Sequence, residues 1–239
     1  MAFDEQLFLA LNFDGGALCD RIMLALSGVA MWLPLYALIL WLVWRRAGWR
    51  GTLLFLLLMA AAVGLADMVA GIFKHNGPLG GLLQGIEPRW RPMFAPSLEG
   101  LDIAPDSLRV LRKLSPEALT AAGYSGDWTV HVPAEAVSGR FGTVSAHAAT
   151  SVTLAVLACT TIRRRWFSLL MAFCTAAICY SRIYLAKHYP ADILWGILLG
   201  MLLGWAAHRA LLCLDRKTAR GKYCLLYTSP SPRDPKTSR

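Results

Sequence analysis

Five apolar stretches, each close to the length of a membrane-spanning helix, constrain this chain more than any other feature. A hydrocarbon core about 30 Å thick needs roughly 20 apolar residues in a helix that crosses it. With 56% hydrophobic and 16% charged residues among 239, the chain is too apolar for an ordinary soluble domain. The stretches cover residues 23–44, 52–73, 146–162, 166–184 and 190–212. The sequence therefore predicts an all-α integral membrane bundle with about five transmembrane helices.

Arginine and lysine residues follow the first, third and fifth of these stretches. The first two spans are joined by WRRAGWR, the third and fourth by IRRRW, and several basic residues follow the last span. Short loops rich in Lys and Arg stay on the cytoplasmic side of a membrane. The N-terminus and an outer segment, residues 74–145, are therefore predicted to lie at the periplasmic face of a bacterial inner membrane. These topogenic residues explain most of the net charge of +9, so that charge does not indicate a nucleic-acid partner.

Short segments flank the predicted membrane domain, residues 23–212. Residues 1–22 contain LFLALNF, which predicts an amphipathic helix lying on the outer surface. In the outer segment, SPEALTAAG has the N-cap Ser, early Pro and terminal Gly that are typical of one short helix. Residues 213–239 are polar and rich in Pro and Ser toward their end, which predicts a disordered cytoplasmic tail that is partly non-native. The six cysteines show no paired CxxC spacing and are predicted to be small buried side chains.

Polar and ionisable residues cluster at the predicted outer ends of the spans. Such residues are costly at a membrane boundary and are candidates for function. They are Asp67, Lys74, Arg89, Arg91, Ser145, His147, Arg182, His188 and Asp192. Because the topology rests on other residues, the cytoplasmic arginines, this clustering at one face is a partly independent indication of a functional site.

The chemistry of these residues suits a phosphate group. Lys74, Arg91 and Arg182 would supply fixed positive charge, and the two guanidinium groups can bind phosphate oxygens through two hydrogen bonds each. Ser145 and the backbone N–H groups that open the third span, beginning with Ala146, would add donors at a helix N-terminus. These residues predict a phosphate-binding site at the outer face.

Two histidines can fill the roles that phosphoryl transfer through an enzyme intermediate requires. Asp192 follows His188 by four residues, and Pro190 suits the first turn of a helix, so Asp192 is predicted to accept a hydrogen bond from one ring nitrogen. The other ring nitrogen would then be free to attack phosphorus. His147 has no carboxylate nearby in the sequence and is assigned as the general acid, and later as the base for the hydrolytic water.

The segment SRIYLAKHYPAD, residues 181–192, resembles the S-R-x5-H-x3-D motif of the type 2 phosphatidic acid phosphatases, the PAP2 family. This family is the integral-membrane branch of a superfamily that includes vanadium haloperoxidases. SAH at residues 145–147 resembles the family's P-S-G-H, with Val144 in place of Pro and Ala146 in place of Gly. The resemblance covers roughly residues 60–205 and implies a helical bundle. It also implies metal-independent dephosphorylation through a phosphohistidine, and a lipid phosphate or isoprenoid diphosphate as substrate.

The first motif of that family, K-x6-R-P, is where this sequence departs most. Counting back from Arg91 places Gln84 at the lysine position, and the nearest upstream lysine is Lys74. We interpret NGPLGGLLQGIEP as an insertion that displaces Lys74 in sequence while the loop folds it back. Arg89 is a possible substitute for Lys74. Asp67, on the same helix face as Lys74, is either its structural partner or a group that orients it.

The sequence as a whole predicts a membrane-bound, metal-independent lipid phosphatase without a cofactor. Its substrate would be a lipid phosphate monoester or a polyprenyl diphosphate such as the cell-envelope lipid undecaprenyl diphosphate, and its partners would be that substrate and the surrounding membrane lipids. One alternative is a lipid phosphotransferase that uses the same phosphohistidine. Another is a non-catalytic lipid-phosphate binder or transporter, although the ionisable groups lie at one face and mark no path across the membrane.

Overall fold

A computed structural model describes residues 2–83, 85 and 87–217 of this chain. The described residues form nine α-helices: α1 (Phe3–Leu11), α2 (Gly16–Ser27), α3 (Leu33–Ile72), α4 (Pro96–Glu99), α5 (Pro105–Leu111), α6 (Pro116–Ala121), α7 (Ala146–Ile162), α8 (Arg165–Tyr184) and α9 (Pro190–Lys217). Within these ranges β-type pairing is limited to one isolated antiparallel bridge between Trp90 and Phe141. The prediction of an all-α bundle is confirmed.

Helix α3 contains the first two predicted spans. Its 40 residues are interrupted at Gly48, whose backbone angles of φ 68° and ψ −177° are not helical and suit glycine because it lacks a Cβ. Tyr36 before this break and Val63 after it line the same cavity, so the chain reverses direction at Gly48. Among the described residues, three helical stretches are long and apolar enough to cross a membrane, namely Ala30–Ile72, α8 and Pro190–Asp215, and α7 is a shorter apolar helix. These helices correspond to the five predicted spans.

The first span begins later in the structure than the apolar pattern predicts. Helix α2 continues through the predicted boundary at residue 23, and the chain leaves the helical conformation at Gly28. Pro34 then occupies the first turn of α3, where its missing N–H has no intrahelical partner to lose. The helical stretch that is long and apolar enough to cross a membrane therefore starts at Ala30.

Three glycines of α9, Gly196, Gly200 and Gly204, allow this helix to approach α7 closely. A methyl group added at Gly196 would lie 2.6 Å from the carbonyl oxygen of Ser145, and one at Gly200 would lie 2.5 Å from that of Ala149. Small residues spaced four apart let the backbones of membrane helices pack directly against each other. This contact holds the start of α7 beside the start of α9, where the two histidine motifs meet.

The N-terminal helix packs against the outer segment. Phe8 of α1 is fully buried, its ring lies 5.5 Å from that of Tyr189, and it shares an apolar cluster with Met93 and Phe94. Helix α1 therefore packs the side of its surface that carries Phe8 against the protein, whereas Phe3 and Leu7 are exposed.

Polar side chains near the N-terminus hold the ends of α8 and α9. The buried Asn12 side chain donates to the carbonyl oxygen of Tyr184 at 2.8 Å. Asp4 accepts a hydrogen bond from the backbone N–H of Ala191 at 2.9 Å. Because these bonds lie on both sides of the loop between α8 and α9, they fix its two ends.

Helix α6 forms where the SPEALTAAG pattern predicts a helix. Ser115 caps it by accepting a hydrogen bond from the N–H of Ala118 at 3.4 Å, and Gly123 follows its end with φ of 82°. The cysteines of the described residues are free, and Cys174 and Cys179 are buried as predicted, whereas Cys19 and Cys159 are partly buried and Cys213 is exposed. Helix α9 runs to Lys217, and the rest of the predicted tail, Cys224 included, lies outside the described residues, as does Gln84.

Candidate active site

His188 lies in the loop between α8 and α9, residues 185–189, and only 1% of its surface is exposed. Its Nδ1 atom is 2.8 Å from the carbonyl oxygen of Gly142. A carbonyl oxygen only accepts hydrogen bonds, so Nδ1 carries the proton and Nε2 keeps its lone pair. An imidazole fixed in this tautomer can act as a nucleophile.

Burial and nearby positive charge keep the ring of His188 neutral. Burial first lowers the pKa of His188 well below its ordinary value of 6.5, and the charges of Lys74, Arg182 and Arg91 lower it further. These effects disfavour the imidazolium form, which has no lone pair for attack. The nucleophilic form of His188 is therefore the stable one in this environment.

Asp192 does not make the predicted hydrogen bond to His188. The distance from His188 Nδ1 to Asp192 Oδ2 is 3.7 Å, which is longer than a hydrogen bond. Oδ2 instead accepts a hydrogen bond from the backbone N–H of Tyr189 at 3.0 Å. An acidic side chain at the third helical position commonly accepts a hydrogen bond from the backbone N–H of the residue that caps the helix. Asp192 therefore stabilises the start of α9, and Gly142 orients the ring of His188.

Arg182, at the end of α8, is a buried cation with unused hydrogen-bonding capacity. Its exposed fraction is 4%, and one terminal nitrogen donates to the hydroxyl of Ser27. The Nε atom is buried and has no hydrogen-bond partner among the described residues. A buried guanidinium group with an unpaired N–H is costly unless an anion binds to it. This arrangement suits the binding of a phosphate oxygen.

The side chain of Arg91 is held by the segment that precedes α7. Its Nε donates to the carbonyl oxygen of Phe141 at 3.1 Å, and a terminal nitrogen donates to that of Ser138 at 2.5 Å. Gly139, with φ of 68°, passes so close that an added methyl group would lie 2.6 Å from the guanidinium carbon. The guanidinium group is therefore positioned by backbone contacts before any ligand binds.

Two lysines, Lys74 and Lys187, form a group of four cations with Arg91 and Arg182, which we call the cationic group. The pKa of Lys74 is lowered to about 8, first by burial and then by the charges of Arg91 and Arg182, so these three cations lie close together. The pKa of Lys187 is also lowered to about 8, by burial and by the same two arginines. Lys187 Nζ donates to the hydroxyl of Ser138 at 2.9 Å. The structure thus brings Lys74 to the arginines despite its displacement in the sequence.

The start of α7 contributes a helix N-terminus to this group. Ser145 is fully buried, caps α7 by accepting from the N–H of Ala148 at 3.4 Å, and donates its own N–H to the carbonyl oxygen of Asp192 at 3.0 Å. The N–H groups of Ala146 and His147, in the first turn, have no partner within the helix. His147 lies within electrostatic range of Arg182, Lys74 and Lys187.

Arg89 and Asp67 lie at the margins of the cationic group. A terminal nitrogen of Arg89 lies 2.5 Å from Oδ2 of Asp4 and 3.8 Å from Oδ1 of Asp192. The guanidinium carbon of Arg89 is 3.4 Å from the ring centroid of Tyr189. It is therefore engaged at the start of α9. Asp67 has the smallest influence among the charges that shift the pKa of Lys74, and it lines a cavity that His147 also lines.

This cavity has a volume of about 610 Å³ and lies between α2, α3, α7 and α8. Its polar lining residues include Ser27, Asp67, His147 and Thr150, and Ser27 in its wall contacts Arg182 of the cationic group. Most of its other walls are apolar, with Trp32, Leu35, Met59, Val63, Leu154 and Met171 among the lining residues. A molecule with a charged head and an apolar body matches this distribution of lining groups.

Three contributors to the site had no local signal in the sequence. Gly142 acts through its carbonyl oxygen, and Ser27 and Asp4 come from the N-terminal region, more than 100 residues from their partners. Lys187 had a signal, because it directly precedes His188 in the motif, but alone it is typical of an interfacial charge.

One group of residues away from the cations has the composition of a metal site. Among the described residues, atoms of Asp14, Asp20 and His131 lie within 4.8 Å of one another. His131 Nε2 is 2.9 Å from Asp20 Oδ1, and the hydroxyl of Tyr184 donates to the same oxygen at 2.7 Å. These groups satisfy one another and join the N-terminal region to α8.

Comparison with known proteins identifies similar sequences. The PAP2 superfamily matches residues 76–213. The lipid A 4'-phosphatase of Bacteroides thetaiotaomicron is 28% identical over 202 residues, which cover 84% of this chain and 74% of that protein. The lipid A 4'-phosphatase of Porphyromonas gingivalis is 28% identical over 74 residues, or 31% of each chain. No solved structure gives a significant match.

Proposed function

This chain belongs to the PAP2 superfamily, and from that premise we propose that it is a lipid phosphatase that works through a phosphohistidine on His188. The family and the helical membrane bundle support a membrane phosphatase as the general activity. The arrangement around His188 supports the more specific mechanism. The observation that carries it is one buried neutral imidazole, held by the Gly142 carbonyl group and surrounded by cations.

In the first step, Nε2 of His188 attacks phosphorus and the bond from phosphorus to the lipid oxygen breaks. The electron pair of that bond moves to the leaving oxygen, which takes a proton from His147 and departs as the lipid alcohol. The imidazole ring of His188 becomes positively charged as it attacks, and its hydrogen bond from Nδ1 to Gly142 strengthens as that charge develops. Arg182, Arg91 and Lys74 bind the phosphate oxygens throughout.

In the second step, His147 takes a proton from a water molecule whose oxygen attacks the phosphohistidine. The bond between phosphorus and Nε2 breaks, which returns the electron pair to His188 and releases inorganic phosphate. His147 must be protonated for the first step although cations surround it. The negative charge of the bound phosphate compensates for those cations and allows His147 to carry a proton.

A lipid is the substrate class that best fits the cavity. The cavity is lined by His147 and by apolar faces of α3, α7 and α8, and Ser27 in its wall contacts Arg182, so it can hold part of the apolar body of a lipid whose head group binds at the cationic group. We assign the site to the periplasmic face of a bacterial inner membrane, because the arginine-rich connections lie at the other ends of α7 and α8. A lipid in the outer leaflet of that membrane would enter from the side.

Lipid A is the first substrate to test. Two relatives of this chain carry the name lipid A 4'-phosphatase, and one of them aligns with most of both chains. In the proposed reaction, a phosphate monoester on the lipid A sugar would occupy the cationic group. Phosphatidate, phosphatidylglycerol phosphate and undecaprenyl diphosphate are the alternatives that share the required head-group chemistry.

The decisive test is phosphate release by the purified, detergent-solubilised protein from each of these four lipids. We expect release from at least one of them and identify the substrate as the lipid with the highest kcat/KM. Product analysis separates hydrolysis from transfer, because transfer yields a new phosphoester and less free phosphate. Absence of release from every lipid by a folded protein would contradict the proposal and favour a lipid-phosphate binder.

Activity is expected to persist in EDTA. The four cations around His188 supply positive charge of the kind that Mg²⁺ supplies in other phosphoryl-transfer sites. The measurement is phosphate release before and after dialysis against EDTA, with and without added Mg²⁺. Complete loss that Mg²⁺ reverses would contradict the metal-independent mechanism.

The value of kcat/KM is expected to fall as the pH rises through about 8. The pKa values of Lys74 and Lys187 are lowered to about 8, so both ammonium groups lose their charge above that pH and the free enzyme binds an anion less well. A phosphate monoester has its second pKa near 6 and does not titrate in that range. In the Lys74→Arg/Lys187→Arg variant the fall should move to higher pH, and an unchanged profile would contradict this assignment.

A further inference from the structure

A second cationic pocket lies at the opposite end of the bundle, and the proposed reaction does not use it. Its volume is about 460 Å³, and it lies between the reversal of α3, the end of α7 and the start of α8. Its described lining residues include three arginines, two tryptophans and no carboxylate. The arginines are Arg45, Arg46 and Arg164. Active-site groups occupy the start of α7, whereas Ile162 at its end lines this pocket.

Contacts within the pocket hold two of its arginines in place. Arg46 donates to the carbonyl oxygen of Ile162 at 2.5 Å, which satisfies a terminal carbonyl group of α7. The guanidinium carbon of Arg45 lies 5.2 Å from the ring centroid of Trp41, a contact that fixes the plane of its donors. Trp41 and Trp166 are each 47% exposed. The pocket therefore combines positive charge with aromatic surface.

The length of α7 places this pocket at the second membrane boundary. Its 17 residues extend about 25 Å at 1.5 Å per residue, which is close to the thickness of the hydrocarbon core. Tryptophans at that boundary lie at the level of lipid head groups, and basic pockets between helices on the cytoplasmic side bind anionic head groups.

We propose that this pocket binds the phosphodiester head group of an anionic phospholipid. Arg45 and Arg164 would donate to the phosphate oxygens, and the two tryptophans would contact the glycerol and the first acyl carbons. A role in setting the membrane topology requires only that arginines lie in these connections, and it does not require them to converge on one pocket. Arg50 and Arg165 belong to the same two connections and do not line the pocket, so the convergence of the other three goes beyond that requirement.

The test compares two variants that each remove two positive charges from this end of the bundle. Arg45→Gln/Arg164→Gln changes the pocket and leaves Arg46 in place at the end of α7. Arg50→Gln/Arg165→Gln is the matched control outside the pocket. Each protein in neutral detergent receives phosphatidylglycerol, phosphatidylcholine or inorganic phosphate. The readouts are the melting temperature and the number of lipids retained in native mass spectrometry.

Phosphatidylglycerol is expected to raise the melting temperature of the wild type and the control. This increase should fall by at least half in the pocket variant, with one fewer retained lipid, and phosphatidylcholine should have little effect on any protein. Equal stabilisation of both variants would overturn the proposal. Equal stabilisation of the wild type by inorganic phosphate would also overturn it, in favour of a site for free anions.

Two features of the design keep the result interpretable. Both variants retain the active-site cations, so phosphatidylglycerol bound there does not differ between them, and loss of phosphatase activity would not affect the readouts. If the pocket variant does not purify as a folded protein, Arg164→Gln is compared with Arg165→Gln. A smaller phosphatidylglycerol effect in Arg164→Gln supports the pocket, and equal effects overturn it.

Discussion

Replacing His188 with Asn is expected to reduce phosphate release by about 10⁴-fold or more, on the scale observed when a catalytic nucleophile is removed. The Asn amide can still donate to the Gly142 carbonyl group, as Nδ1 of His188 does, but it has no nucleophilic nitrogen at the position of Nε2. The variant should therefore fold normally and lose phosphatase activity. The measurements are phosphate release from the best lipid substrate and the melting temperature of the same preparation.

Two further variants make the His188 experiment specific. His75→Asn changes an exposed histidine with φ of 51°, a conformation that Asn tolerates, and it should retain the wild-type rate. In His147→Asn both the proton donor of the first step and the base of the second step are missing, so phosphate release should also fall, and the phosphoenzyme that forms with labelled substrate should be base-stable and acid-labile. Retention of more than about a tenth of the activity by His188→Asn would exclude the phosphohistidine, because a nucleophile contributes far more than that factor.

Replacing Arg182 with Gln is expected to reduce kcat by about 10² to 10³-fold, the range for removing one preorganised donor to a developing charge. The side chain is buried and its Nε is unpaired among the described residues, so its hydrogen-bonding capacity is available to the phosphate. Arg182→Lys keeps the charge but loses the planar pair of donors, and it should recover only part of the rate. Steady-state kinetics on the three proteins provide the comparison.

The stability of the Arg182 variants separates a functional role from a structural one. Arg182 is a buried cation close to Arg91 and Lys74, and its removal relieves both desolvation and repulsion. The melting temperature of Arg182→Gln should therefore equal or exceed that of the wild type while the activity falls. A lower melting temperature with unchanged kcat would contradict the assignment. Arg209→Gln, which changes an exposed cation at the other end of α9, is the control and should leave both quantities unchanged.

Ser27 extends this experiment to the N-terminal region, which precedes the part of the chain that the superfamily matches. Its hydroxyl accepts from Arg182, so it can orient the guanidinium group from the wall of the cavity. In a panel with the Arg182 variants, Ser27→Ala should show a smaller loss of kcat than Arg182→Gln, because the cation remains. This region also supplies Asp4 and Asn12 to the ends of α8 and α9, so it is part of the architecture of the site.

The sequence predicted the parts of this protein that depend on composition and short-range spacing. Apolar stretches of bilayer length predicted the helical bundle, and the short pattern at Ser115 predicted α6. The S-R-x5-H-x3-D segment predicted the family, because its spacing is fixed within one helix end, one loop and one helix start. The interpretation of an insertion also predicted that the loop brings Lys74 back to the arginines, and Lys74 lies within electrostatic range of Arg91 and Arg182.

Tertiary structure decided which groups touch. Asp192 is four residues from His188, yet its carboxylate turns to the backbone N–H of Tyr189 because a helix start leaves that donor unsatisfied. The partner of His188 is the Gly142 carbonyl group, from a segment 46 residues away, which arrives there by the packing of α7 on α9. Every residue has a backbone carbonyl group, so the residue type does not indicate which carbonyl group orients the nucleophile. Only the folded structure shows that it is the one of Gly142.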